Sequence, residues 1–270
     1  MILRATVVVL ACALPSLAVR LKPETEKAFD DYLRRNDARV ERELREGRPF
    51  LWIESQPEAR RAALATQLRA GQVLLEDLKP AGTKIPEGAI HHWVAMGFVR
   101  GVTRDQALTL LADYDNWQSF HKPYFPRSRT LRRDGDSAVI HLRLLRKKAF
   151  TTLVTDTEHE VRLDRSVAGR AHSRSHTTKV LEVINPGEPG ERLLPVGEGR
   201  GYLWRYVSYW RLLEGDGGTY IQCEALSLSR DLSGGFDWAL GGFVRGVHKE
   251  FLVDIVTNTR AELLARFLAR

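Results

Sequence analysis

The residue types that could do chemistry in this 270-residue chain are concentrated between His141 and Glu224, and their spacing argues against most of that chemistry. His172 and His176 stand four apart, a spacing that brings two metal ligands together on a helix. On a strand rising about 3.3 Å per residue they stand roughly 13 Å apart and cannot share a metal. His159-Glu160 lacks the second histidine of a helical zinc site, and His91 and His92 point to opposite faces of a strand. No Gly-x-Ser-x-Gly elbow occurs, and Cys223 falls mid-strand, where a buried inert thiol is the ordinary outcome. Gly197-Glu-Gly199-Arg-Gly201 precedes a strand instead of opening a helix, so it does not form a phosphate cradle. The sequence therefore indicates no metal site, no cofactor and no catalytic set. A general acid or base role for His121, Asp115 or Glu224 stays open.

Binding is better served than catalysis. Charged groups occupy both faces of the middle strands: His141 and Arg143, Asp156 and Glu158, Arg170 to His176, and Glu224. A set facing an interior must be paired there. Arg143 or Arg174 with Glu158 or Glu224 would make such a pair, able to hold a ligand carboxylate in the guanidinium fork. A solvated outer face laced with salt bridges, or an edge protected from aggregation, would give the same pattern. In Tyr202–Leu213, strand alternation puts Trp204, Tyr206, Ser208 and Trp210 on one face, as a packed core or as the wall of an apolar pocket. Trp93, Phe98, Trp117, Phe120, Tyr124 and Phe125 would extend that wall or shape its mouth. The expected ligand-binding residues are thus Trp93, Trp117, Tyr124, Arg143, Trp204, Tyr206, Trp210 and Glu224.

The elements that must carry these residues follow from periodicity and punctuation. Arg4, the apolar run Ala5–Leu14 and Pro15-Ser16-Leu17-Ala18 read as a secretory signal peptide with cleavage near Ala18, which places the mature protein in a periplasm or outside the cell. The run is too short to span a bilayer, which needs about twenty residues. Once Cys12 is removed, Cys223 has no partner for an intrachain disulfide. Pro23 to about Glu46 predicts a helix with one apolar stripe of Phe29, Leu33, Val40 and Leu44, stopped by Gly47. Ser55-Gln-Pro57-Glu58 reads as a capping box opening a second helix through Arg69. After Gly71 the period shortens toward two, at Val73–Leu75 and Ile90–Val99. Thr103 caps a helix with Ala107, Leu108, Leu110 and Leu111. Strand-like segments follow near Ser137–Leu145, Phe150–Val161, Gly169–Val183 and Gly201–Leu213, the last joined by Glu214-Gly-Asp-Gly-Gly218 to Thr219–Arg230 as a hairpin. Helical spacing returns from about Val247 to Phe267, behind glycines at Gly234-Gly235 and Gly241-Gly242 that could act as hinges.

The fold class is therefore α+β, a curved antiparallel sheet wrapped around a long C-terminal helix and preceded by two N-terminal helices. The boundaries are 1–18 for the signal peptide, 19–70 for the helical extension and 71–270 for the main domain. The formal net charge of +7 favours anionic surfaces without naming one. Basic clusters at Arg127, Arg129, Arg132 and Arg133 and at Arg143, Arg146, Lys147 and Lys148 could make a peripheral contact with an anionic membrane, or simply be solvated. Nucleic acid is not expected of an exported chain without a binding motif.

Several segments together resemble the START-like superfamily, also called SRPBCC or helix-grip. They are Trp93-Val-Ala-Met-Gly-Phe-Val99, Gln106–Trp117 leading to His121-Lys-Pro123, the hairpin Gly217–Glu224, and the amphipathic terminal helix. The likeness covers roughly residues 71 to 269. It implies a deep, mostly apolar cavity between sheet and last helix that holds a lipid or other hydrophobic small molecule, and it supplies no catalytic residues. The expectation is an exported hydrophobic-ligand binder. The alternatives are a cyclase- or hydrolase-like enzyme using the same cavity, and a non-catalytic interaction protein whose cavity is filled by side chains.

Overall fold

The computed structural model of the chain describes residues 19–148, 151–231 and 238–268. The proposed signal peptide and Gly234-Gly235 lie outside the described residues.

Helix α1, Pro23–Glu46, starts at a proline suited to a first helical turn and ends on Gly47 in the left-handed conformation. A short 3-10 turn, Trp52–Ser55, leads to helix α2, Glu58–Arg69. The expected capping box at Ser55 is absent: Pro57 occupies the cap position, and the Ser55 hydroxyl donates back to the Trp52 carbonyl. Strands β1 (Leu74–Asp77) and β2 (Gly88–Arg100) precede helix α3, Arg104–Leu111. Thr103 caps α3 as expected, accepting from the Gln106 amide, while the Gln106 side chain accepts from the Thr103 amide.

A single-turn helix α4, Trp117–Phe120, leads into the run of strands β3 (Arg127–Asp134), β4 (Ser137–Lys148), β5 (Thr151–Asp164), β6 (Arg170–Ile184), β7 (Arg192–Leu193), β8 (Arg205–Gly215) and β9 (Gly218–Arg230). Helix α5, Trp238–Phe267, closes the fold. It begins well before the expected Val247, so Gly241-Gly242 are helical positions and not a hinge loop. Glycine's poor helix propensity, about 1 kcal/mol against alanine, is a weak prior that tertiary packing overrides.

Every pairing is antiparallel, and the spatial order is β1-β2-β9-β8-β6-β5-β4-β3, with β7 beside the end of β6. The β8–β9 hairpin turns on Asp216 and Gly217, both at positive φ, which matches the twist of the flanking strands. The α+β helix-grip architecture expected from the sequence is present: α3 and α5 pack on the concave face, and α1 and α2 cover the other. Three apolar clusters record this layering. Ala95, Val99, Trp210, Ile221 and Cys223 meet Leu252, Ile255, Val256 and Leu263 of α5 on the inner face. On the outer face Phe29, Leu33 and Val40 of α1 meet Val207, Leu226 and Leu228, while Leu64 and Leu68 of α2 meet Met96 and Phe98. β9 is consequently buried on both sides from Gly218 to Ser229.

Candidate functional site

The inner face and its two helices enclose a cavity. Leu108 and Leu111 of α3, Trp117 of α4, Ile140, Leu142 and Leu144 of β4, Tyr206 and Trp210 of β8, and Phe251 and Ile255 of α5 supply its apolar walls. The space between these walls, part of it open to solvent, totals about 880 Å³, but the centre of a water-sized sphere can occupy only about 60 Å³ of it. The second figure sets the capacity of the resting cavity: at 10–15 Å³ each, room for roughly four to six water-sized groups.

One side of the cavity is polar. Alternation along β5 turns Thr157 and His159 inward, and Ser173 and Ser175 of β6 and Ser208 of β8 complete the patch. The Thr157 hydroxyl donates to the Leu142 carbonyl and shares a hydrogen bond of 2.9 Å with His159 Nε2. Ser175 meets His159 Nδ1 at 3.4 Å, and the imidazole stands edge-on to Tyr206. Burial pulls the His159 pKa down to about 3, with His176 and His141 adding to the effect. Burial also pushes the Tyr206 hydroxyl and the Cys223 thiol well above their ordinary values. The groups that could titrate inside the cavity are thus neutral near pH 7, and they offer hydrogen bonds but no charge. Among the described residues no group of three or more His, Cys, Asp or Glu side chains is placed to hold a metal ion. No helix among them is long and apolar enough to cross a membrane.

The structure brings together Trp117, Tyr206 and Trp210 of the expected set. Trp93 is on the inner face but does not line the cavity; the Lys249 ammonium lies 4.8 Å from its ring centre. Tyr124 sits at an adjoining recess with Pro123, Arg146 and Phe251, and its hydroxyl donates to Asp254.

Three expectations are corrected. Trp204 packs against Phe29 and Tyr32 of α1, because the alternation resets just before β8, so that Leu203 and Tyr206 face inward instead. Arg143 lies on the outer side of β4, paired at 2.8 Å with Asp156 and at 2.7 Å with Glu191. Glu224 is buried beneath α1, where it accepts from Asn36 and Arg39 and shares a hydrogen bond with His92. Burial would push the Glu224 carboxyl up, but the His92 bond and the Arg39 charge outweigh it and hold its pKa at about 2. The other expected partners are also occupied elsewhere, Arg174 with Asp37 and Glu158 with Lys179. The solvated-face alternative described these pairs better, except that α1 has turned part of that face into an interior.

Sequence reasoning missed His159, Thr157, Ser175 and Leu203. The signal for the first two was present: with Leu142 and Ile140 inward, their partners across the ladder, Thr157 and His159, must be inward too.

No family model matches the sequence, and no curated protein matches it. Among solved structures it is similar to a STAR-related lipid transfer protein from Xanthomonas axonopodis, 11% identical, covering 70% of this chain and 98% of that one at a TM-score of 0.47. It is similar also to the Zhui aromatase/cyclase from Streptomyces sp. R1128, at 14% identity, 67% and 98% coverage and a TM-score of 0.45. Human STARD10 shows 8% identity, 79% and 84% coverage and a TM-score of 0.41. The likeness concerns the path of the chain.

Proposed function

We propose that this chain binds a small hydrophobic or amphipathic molecule between the sheet and α5 and shields it from water. The observation that carries the reading is the wall itself: aliphatic and aromatic side chains around an interior void, with one uncharged hydrogen-bonding patch at Thr157, His159 and Ser175. Burying apolar area at about 25 cal/mol per Å² supplies affinity, and the patch fixes orientation. The resting void is smaller than most such ligands, so binding includes a widening of the seat between α5 and the sheet. Acid–base catalysis needs a group that exchanges protons near working pH, and burial holds His159, Tyr206 and Cys223 in their neutral forms.

We infer further that the protein works outside the cytoplasm after cleavage near Ala18. In support, Arg4 precedes the apolar run Ala5–Leu14, and the small residues Ser16 and Ala18 stand before the cut. Contact with an anionic membrane is part of the same proposal, supported by the exposed Arg127, Arg129 and Arg132 along β3.

Native mass spectrometry of purified protein tests the binding reading. The expected result is a co-purifying apolar species that Ala112→Phe, which fills the void from the end of α3, fails to retain while keeping its circular-dichroism spectrum. A wild-type protein that carries nothing and takes up no apolar dye or alcohol overturns it.

A further inference from the structure

The inner face of β4 reads Ala138, Ile140, Leu142, Leu144 and then Arg146. The arginine is 8% exposed. Its guanidinium lies over the Phe251 ring, 3.7 Å from the centroid, and 4.7 Å from that of Tyr124. Nη1 donates to the Leu145 carbonyl at 2.8 Å. Among the described residues Arg146 makes no ion pair within 4.0 Å, and its one hydrogen bond is that of Nη1; its other nitrogens are not wholly closed off from solvent. Other sheltered arginines of this fold are neutralised: Arg211 by Glu43, Arg143 by Asp156 and Glu191, Arg200 by Glu182. Asp254, the acidic group that acts on Arg146 at longer range, accepts from the Tyr124 hydroxyl.

A buried, unpaired cation is strongly disfavoured unless something pairs with it. Burial draws the Arg146 pKa down to about 9, so the group still carries its charge at neutral pH. It borders a recess formed with Pro123, Tyr124, Lys147, Glu250 and Phe251, and Phe251 is also a wall of the main cavity. The two spaces therefore meet at one side chain. The stacked, planar fork is already oriented for two parallel hydrogen bonds to an oxyanion.

We propose that Arg146 anchors a single anionic head group, a carboxylate or a phosphate, of an amphipathic ligand whose apolar part occupies the main cavity. This rests on the hydrophobic-ligand reading above and specifies the chemistry at its open end.

Calorimetric titration of wild-type protein with octanoate, octyl phosphate and 1-octanol near neutral pH separates the two claims. The expected result is that the anions bind at least about tenfold more tightly than the alcohol, as one charge-assisted pair provides, with the tighter anion identifying the source of the head group. In Arg146→Gln the preference falls to about twofold or less while octanol binds as before, and Arg146→Lys, with a charge but no fork, keeps part of it. Octanol matching the anions in the wild type overturns the anchor and leaves the hydrophobic seat standing, as does a preference that survives in Arg146→Gln. Binding of none of the three overturns both. The wild-type comparison decides even where the glutamine variant does not fold.

Discussion

His121 has no exposed surface, and neither of its ring nitrogens finds a hydrogen-bond partner. It sits among Trp117, Phe120 and Phe125 with ring centroids 5.5, 4.4 and 5.6 Å away. Burial depresses its pKa to about 3, as it does that of His159. Both groups bind fewer protons folded than unfolded between about pH 3 and 6.5, so the stability they permit is full above 6.5 and is lost as pH falls. At pH 5 each should cost about 2 kcal/mol. Glu224, held at about 2, adds a further loss as pH drops from 4.5 toward 2. Thermal melts from pH 7 to 4 should therefore show a steady fall in Tm, and His121→Phe should remove about half of what His121 and His159 together contribute to that slope, at little cost at pH 7. A flat profile would contradict the assignment. None of this was legible from residue types alone, because a histidine among aromatics in sequence can be a ligand, a switch or filler, and only its zero exposure distinguishes them.

At the scale of elements, α1 is fixed to the sheet by a polar seam inside an apolar contact. Tyr32 and Glu224 hold His92 from both ring nitrogens, Arg39 bridges Glu43 and Glu224, and Tyr209 and Arg174 converge on Asp37. Removing one partner from such a network is destabilising even where the intact network adds little net stability. Glu224→Ala, which removes the acceptor shared by Asn36, Arg39 and His92 while Arg39 keeps Glu43, should cost about 1–3 kcal/mol in denaturant melts. Arg39→Met with Glu224→Leu should cost less than the sum of the single changes. Arg143→Ala, on the part of the same face that α1 leaves uncovered, removes the bidentate partner of the largely buried Asp156 and should cost about 1–3 kcal/mol. Deleting residues 19–70 would bare Val207, Leu226, Leu228, Met96 and Phe98, and the expected outcome is aggregation, read by soluble yield and gel filtration. The bounds of α1 were legible because Pro23 and Gly47 have local reasons to stand where they do. β3 was not, since Arg127-Ser-Arg-Thr-Leu-Arg-Arg133 is an edge strand with no apolar alternation to betray it. The faces of Arg143 and Glu224 were ambiguous for a related reason: alternation assigns residues to sides of a sheet, but not which side a distant helix will roof.

For the molecule as a whole, the topology was legible from element order, and the size of its interior was not. Packing volume depends on how far α5 stands off the sheet, which no local pattern encodes. On the proposed reading, uptake of an eight-carbon ligand into the narrow void between α5 and the sheet is expected to shift α5 outward, and bound ligand should then brace it. Amide hydrogen exchange along Trp238–Phe267 should slow on adding octanoate, while β8 and β9, buried between two layers, stay protected in both states. Slowing confined to α1 would place the ligand elsewhere.

Cys223 gives that motion a chemical clock. Its thiol faces the void and is 1% exposed at rest, so a lipophilic alkylating reagent can reach it only during the intervals when helix and sheet part. The labelling rate at this position, followed by peptide mass mapping, would count those openings directly, and a saturating amphiphile should silence it.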